Sequence, residues 1–211
     1  MKRFALAFVL ATVACQQSPE DLRAYYEAEG ARLEEATRHV RKAYTFEDFI
    51  AHEGYRETRD MWRGAALNEY NPARSYVEIL LEEQRGRLYI NGQIAMDFPV
   101  CSGSIDGHET PKGTFRITEK KAEHRSSLYG SFVDAKGDIG KSKVHSSDKK
   151  PAGTRFEGTI MPYWMRFNGA IGMHTGVILR EGVSHGCVRV PEEACSILFD
   201  KLAVGSQVIV K

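Results

Sequence analysis

The 211-residue sequence predicts a mainly β domain that follows a helical N-terminal segment, so the protein is α+β overall. Two periodicities support this fold class. Between residues 18 and 44, apolar side chains recur at intervals of three, four or seven, as on one face of a helix. From Ser75 onward apolar and polar residues alternate, as in strands with one buried face. Asn71-Pro72 breaks regular structure between the two patterns and places the boundary between residues 16–74 and 75–211.

The helical segment has its own start signal. Ser18-Pro19-Glu20-Asp21 offers a capping hydroxyl, a proline at the first helical position and two acids in the first turn. Apolar residues within 46–50 and 61–67 predict two further, shorter helices. We interpret the segment as a packing surface for the second part of the chain. The alternative is an arm that contacts peptide or glycan.

The second part reads as a series of strands. Alternating residues within 75–81 and 94–100 predict two of them, and Asn91-Gly92 predicts a tight hairpin because both residues tolerate positive φ. Residues 114–118 and 207–210 predict two more strands, and residues 191–202 a helix. The polar stretch between Ala122 and Pro151 predicts a long loop, interpreted as a flap or rim of a functional site.

The first fifteen residues predict export. Met1-Lys2-Arg3 is positively charged, and Phe4 to Ala14 is an apolar run that is too short to span a bilayer but suits a secretory signal. The run ends at Cys15 and resembles a bacterial lipoprotein signal. The sequence therefore predicts a signal peptide over residues 1–15, with a lipid attached at Cys15 and a location in the periplasm or cell envelope; plain cleavage nearby is the alternative.

Charge and cysteine content narrow the function classes. A formal net charge of +1 gives no electrostatic argument for binding nucleic acid, for which a concentrated basic face would be expected. Apart from Cys15, the chain has Cys101, Cys187 and Cys195, an odd number that leaves at least one thiol unpaired or paired with another chain. A free thiol in an oxidising compartment needs a reason, and catalysis is one.

Cys187 lies in a sequence context that suits a nucleophile. It follows Gly186, which permits a sharp turn and close approach of a substrate, and it precedes a predicted helix, so its loop can present backbone N–H groups to an oxyanion. His174 is available to lower the pKa of the thiol or to accept its proton. His174, His185 and Cys187 do not have the spacing of a structural zinc site, so no metal is predicted.

Five segments in order resemble the L,D-transpeptidase catalytic domain (YkuD-like) family of bacterial peptidoglycan enzymes. They are Phe98–Gly103 (FPVCSG), Thr110–Phe115 (TPKGTF), Met161–Met165 (MPYWM), Gly172–Gly176 (GMHTG) and Ser184–Arg189 (SHGCVR). The resemblance covers residues 75–211 and implies a β-sandwich catalytic domain. It also implies that Cys187 is the nucleophile and His174 the general acid and base. The Thr175 carbonyl would orient the imidazole, and the N–H groups of Gly186 and Cys187 would hold the oxyanion.

The same resemblance suggests roles for residues around the nucleophile. Arg189 would bind a substrate carboxylate, or alternatively bond to nearby backbone carbonyls. Ser184 and His185 would shape the loop and site rather than transfer protons. Trp164 and Tyr163 would line a wall of the site, with core packing as the alternative for both.

Two cysteines remain to be interpreted. Cys101 occupies a position where family members commonly have a small hydroxyl residue. It is either inert or able to form a reversible disulfide with Cys187. Cys195, on the apolar side of the predicted helix, is expected in the core.

The expected function is formation of 3–3 peptidoglycan cross-links through a Cys187 thioester on a stem tetrapeptide, with release of D-alanine. No cofactor is expected, and carbapenems are expected to inhibit. Transfer to water would instead make a carboxypeptidase, and a related alternative is hydrolysis or formation of a wall–lipoprotein link. An inactive wall-binding lipoprotein is a further alternative. A papain-like peptidase is disfavoured because its cysteine precedes its histidine.

Overall fold

A computed structural model describes residues 45–104, 107–179 and 184–211. The chain divides into two compact units, Met1–Asp48 and Phe49–Lys211. Three predictions, the signal peptide, the lipidation site at Cys15 and the helical pattern between residues 18 and 44, fall on residues outside the described ranges. No helix in the described ranges is both long and apolar enough to cross a membrane.

Residues 45–74 are less helical than their sequence predicts. Helix α1 spans Phe46–Ile50, as expected, and two single-turn 3₁₀ helices span Ala65–Asn68 and Pro72–Arg74. The helix predicted over residues 61–67 is wrong, because Trp62–Arg63 forms strand β1 and pairs with a strand of the main sheet. Over so few residues the apolar spacing is compatible with either a helix or a strand. Backbone pairing with a strand distant in the sequence makes this segment a strand.

A six-stranded sheet forms one layer of the unit that begins at Phe49. Its strand order is β1-β4-β3-β2-β13-β5, with β13 parallel to β2 and the other neighbours antiparallel. The hairpin between β3 and β4 turns at Asn91 and Gly92, whose φ values are 52° and 80°, as a tight turn of this kind requires. Besides β1, the strands are β2 (Ser75–Leu80), β3 (Arg85–Ile90), β4 (Gln93–Pro99), β5 (Gly113–Arg116) and β13 (Gln207–Val210).

A four-stranded sheet, in the order β12-β11-β10-β6, forms the second layer. Its strands are β6 (Glu119–Lys121), β10 (Trp164–Asn168), β11 (Ile171–Thr175) and β12 (Val188–Val190), and helix α2 (Glu192–Lys201) follows β12. Apolar side chains from both sheets and from α2 belong to one buried cluster, among them Val77, Leu88, Met165, Val188 and Leu198. Cys195 belongs to the same cluster. The prediction of a mainly β fold is confirmed.

The stretch predicted as a long loop is instead a third sheet. Strands β7 (Arg125–Val133), β8 (Ile139–His145) and β9 (Arg155–Ile160) are antiparallel, in the order β8-β7-β9. Three of its few apolar residues, Phe132, Val133 and Val144, are buried. Strand pairing and the burial of these few residues order the segment, which its polar composition does not suggest.

A buried ion cluster ties residues 55–60 to β3 and β4. Arg85 and Asp97 are both fully buried, and the Arg85 Nη2 nitrogen lies 2.6 Å from Asp97 Oδ1. Arg85 Nε also donates to Asp97 Oδ1 at 2.8 Å, while Nη1 donates to the Thr58 carbonyl (2.8 Å) and Nη2 to the Asp60 carbonyl (2.9 Å). Tyr55 donates its hydroxyl proton to Asp97 Oδ2 at 2.8 Å. Because each of these buried charges has partners, the cluster fixes the segment without leaving an unpaired ion.

Candidate active site

The register of β11 and β12 relates the loop that carries Cys187 to the strand that carries His174. Strands β11 and β12 are parallel, with His174 opposite Arg189 and Met173 opposite Val188. Met173 and Val188 are fully buried in the core, so His174 and Arg189 lie on the other face. Cys187 immediately precedes β12 and, continuing this register, lies opposite Gly172, two positions from His174 along β11. Folding thus brings two residues that are thirteen positions apart in the sequence onto neighbouring segments, and the alternation of side chains favours the same face for both.

The His174 ring is held in one tautomer. Nδ1 lies 2.8 Å from the Thr175 carbonyl oxygen. A carbonyl can only accept, so Nδ1 bears the proton and Nε2 keeps its lone pair. The contact expected between this ring and Thr175 is therefore present, and it leaves Nε2 as the proton acceptor.

Burial lowers the pKa of His174 to about 4; the Thr175 hydrogen bond opposes this shift, and the charges of Arg189 and His124 add to it. The imidazole is only 7% exposed, which accounts for the dominance of burial. At neutral pH it is therefore an uncharged base.

Cys187 is correspondingly a neutral thiol. Burial raises the pKa of Cys187, while a hydrogen bond with the Gly172 backbone and the charge of Arg189 lower it. Its Sγ atom lies 3.9 Å from the Ala170 carbonyl oxygen. A histidine can activate a thiol by accepting its proton during the reaction or, as an imidazolium, by stabilising a preformed thiolate. Because both groups are neutral here, this arrangement favours proton transfer to the imidazole.

The loop that carries Cys187 is fixed by hydrogen bonds from two neighbouring segments. The Thr110 hydroxyl donates to the Gly186 carbonyl at 2.8 Å and accepts from the Gly103 N–H at 2.9 Å. The Ser184 N–H donates to the Ser102 carbonyl at 3.2 Å, and the Ser184 hydroxyl donates to the Cys187 carbonyl. Gly186 has φ +99°, a conformation that favours glycine. Thr110 lies in a motif noted in the sequence, yet nothing in the sequence alone shows that it supports this turn.

Arg189 presents a cation beside the candidate pair. Among the described ranges, its guanidinium makes no hydrogen bond or ion pair. A Cβ atom on Gly176 would lie 2.9 Å from Arg189 Cγ, so glycine at that position lets the arginine side chain lie across the backbone. The alternative of a structural bond to backbone carbonyls does not appear in this part of the chain.

Trp164 and Tyr163 lie in different surroundings. The Trp164 ring is 1% exposed, its centroid is 6.2 Å from that of His174, and its Nε1–H donates to Glu119 at 3.2 Å. Tyr163 instead packs against Phe199 of α2, with ring centroids 5.7 Å apart. Trp164 therefore lies beside the candidate base, and Tyr163 packs on the core cluster.

The ring contacts that position His185 are made with the third sheet and with His108, not with the candidate base. Its ring centroid is 4.5 Å from that of Tyr129 on β7 and 5.0 Å from that of His108. Tyr129 also meets His145 of β8 at 5.4 Å. The three-stranded sheet thus touches the nucleophile loop at the residue two positions before Cys187, a contact that local sequence patterns could not reveal.

The other two cysteines, Cys101 and Cys195, are fully buried. The Cys101 backbone exchanges hydrogen bonds of 3.0 and 2.9 Å with Arg189. Cys187 and Cys195 form no disulfide within the described residues. Within residues 45–104, 107–179 and 184–211, no group of three or more His, Cys, Asp or Glu side chains is arranged to hold a metal ion.

Comparison with known families identifies the chain. Residues 74–210 match the L,D-transpeptidase catalytic domain family (YkuD), and the chain belongs to that family. The resemblance drawn from the five motifs is confirmed. The comparison with curated proteins gave no match.

Several solved structures are similar to the chain. An L,D-transpeptidase from Stackebrandtia nassauensis is 22% identical, with a TM-score of 0.48, and the match covers 68% of this chain and 58% of that one. An L,D-transpeptidase from Mycobacterium smegmatis is 18% identical, with a TM-score of 0.49 and coverages of 65% and 58%. A third, an L,D-transpeptidase in complex with imipenem, is 16% identical, with a TM-score of 0.48 and coverages of 65% and 59%. The chain thus spans less than two thirds of the length of each of these proteins.

Proposed function

We propose that this protein is an exported L,D-transpeptidase that cross-links peptidoglycan stem peptides through a thioester on Cys187. The observation that supports this most directly is the state of the His174 ring, an uncharged imidazole whose Nδ1 donates to the Thr175 carbonyl and whose Nε2 remains an acceptor, on the strand that neighbours the segment carrying Cys187. Membership of the L,D-transpeptidase catalytic domain family supports the reaction class.

In the first half-reaction, Cys187 Sγ attacks the carbonyl carbon of the third stem residue, a diamino acid, and the thiol proton passes to His174 Nε2. The tetrahedral oxyanion accepts hydrogen bonds from the backbone N–H groups of Gly186 and Cys187, each worth about 3 kcal/mol if it resembles other oxyanion donors. The bond to the terminal D-alanine then breaks, and the leaving amine takes the proton from His174. A thioester remains on Cys187.

In the second half-reaction, the side-chain amine of a neighbouring stem attacks the thioester carbonyl. The amine gives a proton to His174, the carbon–sulfur bond breaks, and His174 returns the proton to sulfur. The product is a 3–3 cross-link, and no cofactor takes part. If water attacks instead of the amine, the same residues perform a carboxypeptidase reaction.

Side chains around the pair would orient the substrate. Arg189 has five guanidinium N–H donors and no acidic partner in the described parts of the chain, which suits bidentate binding of a stem carboxylate. Trp164 would form a wall beside His174. Ser184 and His185 would hold the nucleophile loop, which fits the hydrogen bond from Ser184 to the Cys187 carbonyl and the ring contact of His185 with Tyr129.

The product distribution tests this function. We expect the protein, incubated with disaccharide-tetrapeptide muropeptides, to yield dimers with loss of D-alanine, and Cys187→Ala to yield none. Mass spectrometry separates dimers from trimmed monomers, which would indicate the carboxypeptidase alternative. Undiminished turnover by Cys187→Ala would refute the mechanism, and no turnover by the wild-type protein would favour the wall-binding alternative.

Reactivity of the thiol can be tested separately. Imipenem is a suitable probe because an L,D-transpeptidase of similar structure was solved in complex with it. We expect acylation, seen as a mass increase on the peptide that contains Cys187. His174→Ala should slow this acylation strongly, because the thiol loses its proton acceptor.

Export and anchoring are the remaining parts of the proposal. We expect cells fed a radiolabelled fatty acid to label the wild-type protein in the envelope and not the Cys15→Ala variant. Equal labelling of both would exclude Cys15 as the lipidation site.

A further inference from the structure

A cavity of about 700 Å³ opens at one end of the six-stranded sheet, away from Cys187 and His174. It is lined by side chains from β2, β5 and β13 and by the turn that precedes β13, including Arg74, Tyr76, Arg116, Gly205, Ser206 and Gln207. None of these residues belongs to the candidate active site. The cavity is therefore a separate surface feature of the same compact unit.

The register aligns four polar or aromatic residues in one row across the sheet. Arg116 of β5 pairs with Gln207 of β13, Gln207 pairs with Tyr76 of β2, and Tyr76 pairs with Tyr89 of β3. The adjacent residues Val77 and Val208 are fully buried in the core. Because side chains alternate between the faces of a strand, the row lies on the outer face of the sheet.

Tyr76 turns one aromatic face toward the cavity. Its ring is stacked on that of Tyr89, with centroids 4.6 Å apart and planes within 3° of parallel. Tyr89 lies on the β3 side, so the second face of Tyr76 is directed to β13 and Gln207. A flat, rigid ring of this kind offers a broad apolar surface for little loss of side-chain freedom, as suits the C–H face of a sugar ring.

Two arginines, Arg74 and Arg116, line the same cavity as Tyr76. One Arg116 guanidinium nitrogen donates to the Gly205 carbonyl at 2.7 Å, which holds this exposed side chain at the rim. Arg74 supplies a second guanidinium, and no Asp or Glu is among the described residues that line the cavity. Guanidinium groups bind carboxylates through paired hydrogen bonds. The Gln207 amide, on the strand between those of Arg116 and Tyr76, adds a donor and an acceptor suited to hydroxyl or acetamido groups.

We propose that this cavity is a binding site for a sugar that carries a carboxylate, with the ring packed on Tyr76 and the carboxylate bound by Arg116 and Arg74. A muramyl sugar whose lactyl carboxylate bears no peptide has this chemistry, and so does a uronic acid. The site is independent of the reaction at Cys187, since it shares no residue with the candidate active site.

Titration of the full chain by isothermal calorimetry tests the site with three probes. They are the peptide-free disaccharide of N-acetylglucosamine and N-acetylmuramic acid, digalacturonic acid, and the neutral dimer of N-acetylglucosamine. We expect at least one acidic sugar to bind about tenfold or more tightly than the neutral dimer, as a charged hydrogen bond would give. Binding of only one acidic probe supports the site and identifies the source. Binding of neither, or equal binding of the neutral dimer, overturns the proposal.

Variants locate the binding in the cavity. Arg116→Gln and Tyr76→Leu should each weaken binding of the acidic probe about tenfold, whereas Tyr76→Phe, which keeps the ring, should bind like the wild type. Arg125→Gln is the matched control, because Arg125 is an exposed arginine of the third sheet. Equal weakening by Arg125→Gln, or none by Arg116→Gln, would place the sugar elsewhere. Imipenem acylation of Cys187 in the same samples reports separately on the proposed catalytic function.

Discussion

The charge state of His174 gives a prediction about how the reaction depends on pH. The base must be neutral to accept the Cys187 proton, and its pKa is lowered to about 4, first by burial. The fraction able to react therefore falls only as the pH drops through about 4. A histidine with the ordinary pKa of about 6.5 would instead lose half of its neutral form already at a pH of about 6.5.

The two cases differ most near pH 5.5. With a pKa of about 4, about 97% of His174 is neutral at this pH, whereas with a pKa of about 6.5 only about 9% is neutral. The acylation rate at pH 5.5 should therefore be nearly the rate at pH 7, instead of about tenfold lower. The raised pKa of Cys187 extends the plateau on the alkaline side, because the thiol keeps its proton through neutral pH.

The assay is the rate of imipenem acylation measured by intact-protein mass spectrometry between pH 4.5 and 8.5. Cys187→Ala controls for acylation at other sites, and circular dichroism at each pH controls for unfolding. A rate that halves near pH 6.5 would refute the argument that burial sets the pKa of His174. A rate that rises steadily through neutral pH would instead show that a free thiolate attacks without help from the imidazole.

Three further predictions concern the groups around the site and the stability of the fold. Thr110→Val should slow imipenem acylation, because the Gly186 carbonyl and the Gly103 N–H each lose a buried partner at about 1–3 kcal/mol; Thr110→Ser keeps the hydroxyl and should retain most of the rate. Asp97→Ala should lower the free energy of unfolding by about 3–5 kcal/mol in urea titrations, because fully buried Arg85 is left uncompensated; Glu157→Ala, which breaks exposed pairs, should cost less than about 1 kcal/mol. His174 should make the protein less stable in acid by about 2 kcal/mol between pH 7 and pH 5, since the unfolded chain binds the proton first, and His174→Gln should lose that part of the pH dependence.

The sequence allows the two central strands and the hairpin between β3 and β4 to be predicted, because one face of each strand is buried and Asn91-Gly92 fits only a tight turn. It misassigns Trp62–Arg63, where a two-residue strand exists through pairing with β4. It also misses the third sheet, whose ordering depends on a few buried side chains such as Phe132 and Val144. In both cases the deciding contacts are made by residues distant in the sequence.

In the candidate site, too, some residues can be predicted from the sequence and others cannot. Cys187 and His174 can be found from local motifs, because their chemistry requires particular residue types beside a glycine. The residues that support the site cannot be found in this way. Thr110 is hydrogen-bonded to Gly186 across seventy-six positions, and Tyr129 contacts the His185 ring from another sheet. The low pKa of His174 is also beyond sequence reasoning, since it arises from burial produced by the whole fold.

The uncharged partner of His174 has a consequence for the order of events. A carboxylate at Nδ1 would attract the imidazolium and raise the pKa of the ring, whereas the Thr175 carbonyl orients the ring with only a dipole. Burial lowers the pKa of His174 and raises that of Cys187, so transfer of the proton before attack is unfavourable. In the proposed reaction, proton transfer would be favoured as sulfur begins to bond to carbon and the negative charge moves to an oxygen that accepts hydrogen bonds from backbone N–H groups. The Cys187 thiol would then keep its proton until an acyl group is bound, and a protonated thiol is oxidised less readily than a thiolate.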